Sequence, residues 1–528
     1  MNEKVYLKPN VVAEPLFFHW YAWSSLIAPA TAAMFVANSH LKIMQSFVTA
    51  PQVHVNALKL PAMRGGPFIN YDAGKSPDIR RLIEATLKEQ APLLELAKAI
   101  QSVHDLLAAE ADGSSLEPLY AKTPEPLRGR VEYVYDLDGK AGVRFIEGLL
   151  YRSDYYMESL QSVALTLSEG DDRPFALSTP QLPREGRLEL RLPFRSEALD
   201  LLFRSRTEAQ RPGCLAEALG LDHEAAALLP SFFTEREPRA GRRYDGEGVR
   251  VRYFGHACIL IETRDVSVLI DPLVSYENGG GIPRYTYHDL PDSIDYVLIT
   301  HNHQDHCMFE TLLQLRHKIK NVVVPKNNGG GLADPSLKLV LQHLGFRRVT
   351  ELDELESLPV EGGEIVGLPF LGEHADLNIR TKLAHLVRLQ GRTILAAADS
   401  NNIEPRLYEH LHRLTGDIDL LFLGMECDGG PLSWLYGPLL TKPIGRKHDQ
   451  SRRLNGSNYE RGVELVNLLN PRQVYVYAMG QEPWLTYLTS ILYTEESRPI
   501  VESNRLVAEC RGRGLESERL FGSKEIEL

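Results

Sequence analysis

The sequence predicts an α/β C-terminal region preceded by an α+β N-terminal region. Three observations carry this. After residue 248, short β-prone runs alternate with helical stretches, the pattern of a layered α/β architecture. Before residue 234, helical periodicity stands beside isolated alternating strands. Between them Thr234–Arg250, TEREPRAGRRYDGEGVR, mixes both charges with glycine and proline and lacks an apolar period, so it reads as a linker. The expected units are residues 1–245, an α+β domain, and 246–528, a catalytic domain.

In the first unit, Leu82, Ile83, Leu87, Leu93, Leu94, Leu96 and Ile100 fall at helical spacing, predicting one long or two short helices over Pro77–Ala111. Arg130–Tyr135 and Arg187–Leu192 alternate polar and apolar residues, as half-buried strands do. No metal cluster, phosphate loop or nucleophile motif is legible here. In the second unit, Val249–Glu262 reads as two strands broken at Gly255, and Val266–Ile270 as a third ending in Asp271-Pro272. Ile294–Thr300 is a buried strand, Phe309–His317 a helix and Val322–Pro325 the next strand. Thr393–Ala398, Ile418–Leu423 and Gln473–Tyr477 complete the β-prone runs.

Composition narrows the function. The 528 residues are 43% apolar and 24% charged, which excludes a collagen, a largely disordered chain and a polytopic membrane protein. The net charge of −12 disfavours nucleic acid as a partner of the whole chain. Five cysteines, at 214, 258, 307, 427 and 510, are odd in number and form no CxxC pair. That argues against a disulfide scaffold and for a reducing, cytoplasmic setting. Phe17–Val36 has the length of a membrane span, but His19, Ser24, Ser25, Pro29 and Thr31 interrupt it. It reads as a buried or dimer-forming segment, with no membrane partner.

The chemistry is concentrated after the IDYVLIT strand, where Thr300-His301-Asn302-His303-Gln304-Asp305-His306 offers four metal ligands within six residues. A strand end opening into a loop aims His301 and His303 at one ion, with Asp305 and His306 facing a second. This HxHxDH pattern, with YFGHACILIETRDVSVLIDPL and its Asp271, resembles the metallo-β-lactamase superfamily. The resemblance implies an αββα sandwich and makes Asp399, in ILAAADSN, the carboxylate bridging two metals. Two positions depart from the hydrolytic pattern. Where a third histidine is usual, PFLGEHAD offers either Glu373 or His374. Where a late histidine is usual, after QVYVY, stands Met479, a thioether poorly suited to an oxygen-rich site. Two histidines and a carboxylate with open positions suit non-haem iron and O2, although zinc hydrolases use the same ligands.

Three further segments, FLGEHAD (370–376), GMECDGGPLSWLYGPLL (424–440) and AMGQEPW (478–484), are similar to the CmlA-like diiron β-hydroxylases of the chloramphenicol-biosynthesis type. That resemblance implies an O2-dependent diiron monooxygenase. Its substrate would be an amino acid held as a thioester on a peptidyl carrier domain of a nonribosomal peptide synthetase, hydroxylated at the β-carbon during antibiotic biosynthesis. It further implies an external electron donor and a homodimer, with the N-terminal domain serving dimerisation and covering the site. Carried over residue by residue, His301, His303 and Glu373 would bind one iron, Asp305 and His306 the other, and Asp399 would bridge. Glu426 would be an acid beside the cluster. The alternative is a dinuclear zinc hydrolase acting on a thioester, lactone or phosphodiester.

Several residues carry two readings. His256 is a hydrogen-bonded strand residue or a metal neighbour. Cys307 is a small helix-start residue rather than a thiolate ligand. Lys326–Gly331 lacks the GK[ST] ending of a phosphate loop and reads as a flexible loop near the site mouth. The basic run Lys442–Arg453 is a solvated loop or a dock for an acidic carrier domain or its phosphate. Trp434 and Tyr436 line a substrate channel or pack the core.

Overall fold

The computed structural model describes residues 4–528 apart from residue 240. In the N-terminal region, the strands are β1 (Tyr6–Leu7), β2 (Val11–Phe17), β3 (Trp20–Tyr21), β4 (Val131–Tyr135), β5 (Ala141–Phe145), β6 (Gln161–Leu167), β7 (Leu188–Leu190) and β8 (Phe233–Thr234). They form a four-stranded sheet in the order β3-β2-β6-β7, a β4-β5 hairpin and a β1-β8 pair. The leucine-rich stretch forms two helices, Ser76–Glu89 and Ala91–Glu110, separated at Gln90. Phe17–Val36 folds back on itself as the end of β2, β3 and two short helices, Ser24–Ile27 and Pro29–Phe35. It is buried except at Phe18 and His19, which turn the chain with positive φ. Among the described residues no helix is long and apolar enough to cross a membrane.

The C-terminal region holds fourteen strands in two seven-stranded sheets. The first sheet runs from β9 (Arg250–Gly255), β10 (Cys258–Glu262), β11 (Ser267–Ile270) and β12 (Ile294–Leu298) to β13 (Ile319–Pro325) and β14 (Val349–Leu352). The second is built from β15 (Ser357–Val360), β16 (Gly363–Leu368), β17 (Ala384–Leu389), β18 (Arg392–Ala396), β19 (Leu420–Gly424), β20 (Gln473–Tyr477) and β21 (Glu516–Arg519) in sequence order. The last strand, β22 (Lys524–Glu527), returns to pair with β9 in the first sheet. Each sheet starts antiparallel and ends parallel: β11 to β14 are parallel in one, β18 to β21 in the other. The central strands β11, β19 and β20 are buried along nearly their whole length because both faces are covered.

Val251, Ile259, Val268, Val387, Phe422 and Tyr477 meet between the sheets. The helices Pro405–Thr415, Tyr459–Leu469 and Arg498–Gly512 cover the outer face of the second sheet through Leu411, Leu465 and Leu506. The helices Phe309–Leu315 and Leu337–His343 cover the first, and their apolar side chains merge with the core of the N-terminal region. All seven residues of Phe309–Leu315 are buried, since the N-terminal region lies over them. The molecule is thus an αββα sandwich with a second α+β layer packed on one helical face.

A charged clamp ties the layers. Arg173 donates to Glu310 Oε1 at 2.9 Å and to Glu14 Oε1 at 2.8 Å, and its guanidinium stacks 3.6 Å from the Tyr487 ring centre. Tyr21 and Tyr276 donate to the same Glu310 carboxylate at 3.0 and 2.7 Å. Fully partnered, a buried ion pair is near neutral in free energy; with one member removed it costs about 3–5 kcal/mol.

Candidate metal centre

Five chain segments reach one edge of the sandwich and meet there. They are the β9-β10 turn, the loop after β12, the loop after β16 and the ends of β18 and β20. The backbone is strained at four of these entries, where His256, Glu373, Ala398 and Ala478 have φ between +50° and +65°, and again after β11, where Asp271 has φ +42°. Left-handed non-glycine residues cost about 1–3 kcal/mol each and gather where side-chain placement outweighs backbone comfort.

The loop after β12 places His301, His303 and His306 side by side. His301 and His306 rings lie 4.0 Å apart between centres, and His301 and His303 4.7 Å apart. Each ring is oriented by its second nitrogen. His306 Nδ1 faces Asp271 Oδ2 at 2.8 Å, and that carboxylate also accepts from Thr300 N and Oγ1 at 2.7 and 2.6 Å. Asp271 therefore fixes the His306 tautomer and leaves its Nε2 for a ligand, the carboxylate–histidine arrangement of metal sites. His303 Nε2 is held by the Tyr436 hydroxyl at 2.8 Å, turning Nδ1 toward Glu373 Oε1, 2.7 Å away. His301 Nδ1 meets Thr300 Oγ1 at 3.0 Å, which leaves Nε2 inward.

Asp399 follows Ala398 at the end of β18. Its Oδ2 lies 3.0 Å from His306 Nε2 and 3.8 Å from His301 Nε2, between the two histidines. Gly424 makes room for it, since a Cβ there would stand 2.6 Å from Asp399 Oδ1. Glu373 Oε2 lies 3.9 Å from His301 Nε2 and 2.9 Å from His374 Nδ1. The structure thus brings Glu373 together with His301 and His303, while His374 pairs with Glu373.

Burial and the neighbouring histidines push His301 well below its ordinary pKa and keep its Nε2 lone pair free. Burial raises the Glu373 carboxyl, but His303 and His374 outweigh it and hold it at about 2. His301 Nε2, His306 Nε2 and Asp399 Oδ1 are buried without a hydrogen-bond partner. Inward-facing lone pairs left unsatisfied are costly unless a cation takes them. Ligand atoms of His301, His303 and Glu373 form one cluster and those of His301, His306 and Asp399 another, each within 4.8 Å; Asp305 joins His306 and His256 in a third. The residues present could hold two adjacent cations, with His301 and His306 each common to two of the three groups.

The other expected residues fall as follows. Glu426 lines the same cavity, of about 340 Å³, and burial lifts its carboxyl to about 7. Met479 turns away into the core beneath the outer helices, so the turn after β20 supplies no sulfur to the site. Cys307 is buried in the core. The Lys326–Gly331 loop departs from the sequence reading. It lies outside the cavity lining and is pinned by Asp334, which accepts from Asn328 N at 2.9 Å, and by Gly330 O, which accepts from Phe145 N at 2.8 Å. Its glycines allow a close approach to the N-terminal hairpin rather than mobility: a Cβ on Gly330 would stand 2.1 Å from Phe145 O. Sequence reasoning left Tyr436 unassigned and missed Arg64, which reaches the cavity from the N-terminal region. Trp434 Nε1 donates to Gly65 O at 3.0 Å, and Trp434 and Leu435 separate this cavity from an aromatic-lined one of about 570 Å³.

Residues 6–238 match the family described as the diiron non-heme β-hydroxylase N-terminal domain, and residues 250–394 match a β-lactamase superfamily domain. The chain is 42% identical, over 99% of both sequences, to the 4-amino-L-phenylalanyl-[CmlP-peptidyl-carrier-protein] 3-hydroxylase of Streptomyces venezuelae. The chain belongs to the CmlA family of diiron β-hydroxylases. The crystal structure of CmlA from that organism superposes with a TM-score of 0.94 at 40% identity, covering 100% of both chains. A UPF0173 protein of Pyrococcus furiosus is 34% identical over 224 residues, 42% of this chain and 80% of that one. The αββα sandwich preceded by an N-terminal domain, the oxygenase class and the diiron centre with O2 as co-substrate are those of the CmlA family. The zinc-hydrolase alternative gives way to the hydroxylase reading.

Proposed function

We propose that this enzyme hydroxylates the β-carbon of an amino acid carried as a thioester on a peptidyl carrier domain in antibiotic biosynthesis. The single observation that supports this most is the convergence of His301, His303, Glu373, Asp305, His306 and Asp399 in a buried, two-cation geometry, in a chain 42% identical to a carrier-dependent hydroxylase. His301, His303 and Glu373 would hold the first iron and Asp305 and His306 the second, with Asp399 shared between them.

The diiron centre, when bound, supplies the two-electron reduction of O2 and the oxidation of a C–H bond. The chain's own residues set the geometry. Asp271 and Tyr436 fix the tautomers of His306 and His303. Glu426, whose carboxyl burial lifts to about 7, exchanges a proton near neutral pH on a group facing the cavity. Arg64 from the N-terminal region and Trp434, which donates to Gly65 O, wall the cavity and limit water. The 1–245 unit covers the site, and the 246–528 unit houses it.

The basic run is the dock for the carrier. Arg446, Lys447 and His448 are exposed on the short helix Arg446–Ser451. That helix is tied to the cavity wall, because Asp449 accepts from Ser433 N at 2.8 Å, next to Trp434. A cationic rim on a chain of net charge −12 favours an acidic partner or a phosphodiester tether. The external electron donor, a homodimeric state and a cytoplasmic location complete the reading. It is tested by incubating the reduced, iron-loaded protein with O2 and aminoacyl-carrier substrates and measuring carrier-bound product by mass. A gain of 16 Da, about one oxygen atom, supports it; hydrolytic release of the amino acid from the carrier overturns it.

A further inference from the structure

Asp305 has a neighbour that shares its cluster, His256, in the tight turn between β9 and β10. The turn is rigidly held. His256 N donates to Glu482 Oε1 at 3.1 Å, Tyr253 hydroxyl donates to the same oxygen, and His256 O accepts from Ala478 N at 2.9 Å. The imidazole then has two distinct sides. Gly480 N lies 3.2 Å from Nδ1, with its hydrogen directed at the ring. Nε2 faces Asp305 Oδ2 at 3.3 Å, an ion-pair distance, and is buried without another partner among the described residues.

A histidine that ligates through Nε2 must carry its proton on Nδ1. Here Nδ1 faces a backbone N–H, and two N–H groups cannot point at each other without losing a hydrogen bond and adding repulsion. The same turn is bonded a second time to His256, since Ala478 N donates to His256 O two residues before Gly480, and this holds the Gly480 amide against the ring. The proton therefore resides on Nε2, which faces Asp305 Oδ2 at 3.3 Å.

We propose that His256 is not a ligand of the second iron but a positioning residue for Asp305. It occupies Oδ2 through Nε2–H and directs the remaining carboxylate oxygen toward the metal that Asp305 shares with His306. The turn after β20, which presents Met479 to the core, thereby serves the site through its backbone: the Gly480 amide sets the tautomer of His256. This inference rests on the assignment of Asp305 as a ligand.

The test uses full-length His256→Gln and His256→Ala proteins loaded with ferrous iron. Glutamine retains an acceptor for the Gly480 amide and a donor for Asp305. The readouts are iron per chain, the number of imidazoles bound per two irons by X-ray absorption, and the rate of iron loss to a chelator. Wild type and both variants should show three bound imidazoles. His256→Ala should lose its second iron about 10–100 times faster than wild type, and His256→Gln should restore most of that retention. A count of four imidazoles in wild type that falls to three in His256→Gln would overturn the proposal in favour of ligation. Unchanged iron release in His256→Ala would overturn the positioning role. Asp305→Ala keeping both irons would instead sink the ligand assignment beneath it.

Discussion

The Tyr436 hydroxyl stands 2.8 Å from Nε2 of His303, and the opposite nitrogen of that ring stands 2.7 Å from Glu373. One phenol thus decides which nitrogen of His303 turns toward the metal. Tyr436→Phe should keep two irons per chain when iron is in excess but bind the first about tenfold more weakly. Chelator competition measures this; affinity equal to wild type would show the hydroxyl to be dispensable.

Glu373 and His374 are adjacent in sequence but not equivalent in space. Glu373→Ala should lose iron from the site and abolish hydroxylation. His374→Ala should retain both irons, since His374 reaches the site only through Glu373 Oε2. Metal analysis showing the reverse pattern would exchange their roles.

Glu426, held at about 7, faces the cavity without contacting the histidines. Glu426→Gln should preserve iron content and lower kcat by about 10²–10⁴. An unchanged kcat with carrier-bound substrate would remove it from the chemistry.

The cationic rim makes a separable prediction. Charge reversal at Arg446 and Lys447 should raise KM for a carrier-bound substrate by about tenfold at low salt, with a smaller gap at high salt. Turnover of a small thioester lacking both carrier and phosphate should not change. An equal loss on both substrates would place the rim's effect inside the active site instead.

Glu147 accepts from Ser336 N at 3.0 Å and Asn327 Nδ2 at 3.1 Å at the contact between the two regions. Burial lifts its carboxyl from 4.5 to about 7. Folding favours the protonated acid, so its contribution is intact below pH 4.5 and is lost as pH rises through about 7. The loss is on the order of 3 kcal/mol. Glu147→Gln should flatten the fall in denaturant midpoint between pH 5 and 8; an identical slope in both proteins would refute this.

Much of this was legible in the sequence, and the reasons differ by residue. His301, His303, Asp305 and His306 lie within six positions, so local geometry alone groups them. Glu373 against His374 could not be separated by spacing, because both follow the same loop. The left-handed conformation of Glu373 is what sets it beside His301 and His303. Tyr436 lies 133 positions from the histidine it orients, so only the assembled fold joins them. His256 was visible in the FGHAC strand break, yet its tautomer depends on a glycine amide 224 positions away. The Lys326–Gly331 loop misled because glycine permits tight contact as readily as motion.

The Arg173 clamp has an evolutionary consequence. Glu14 and Arg173 belong to one half of the chain and Glu310 and Tyr487 to the other, and Glu310 sits in the helix that begins three residues after His306. A gene fusion that paired this catalytic half with a foreign N-terminal half would strand Glu310 unless the newcomer brought its own cation to the same spot. A working fusion would therefore have to supply both sides of the clamp together.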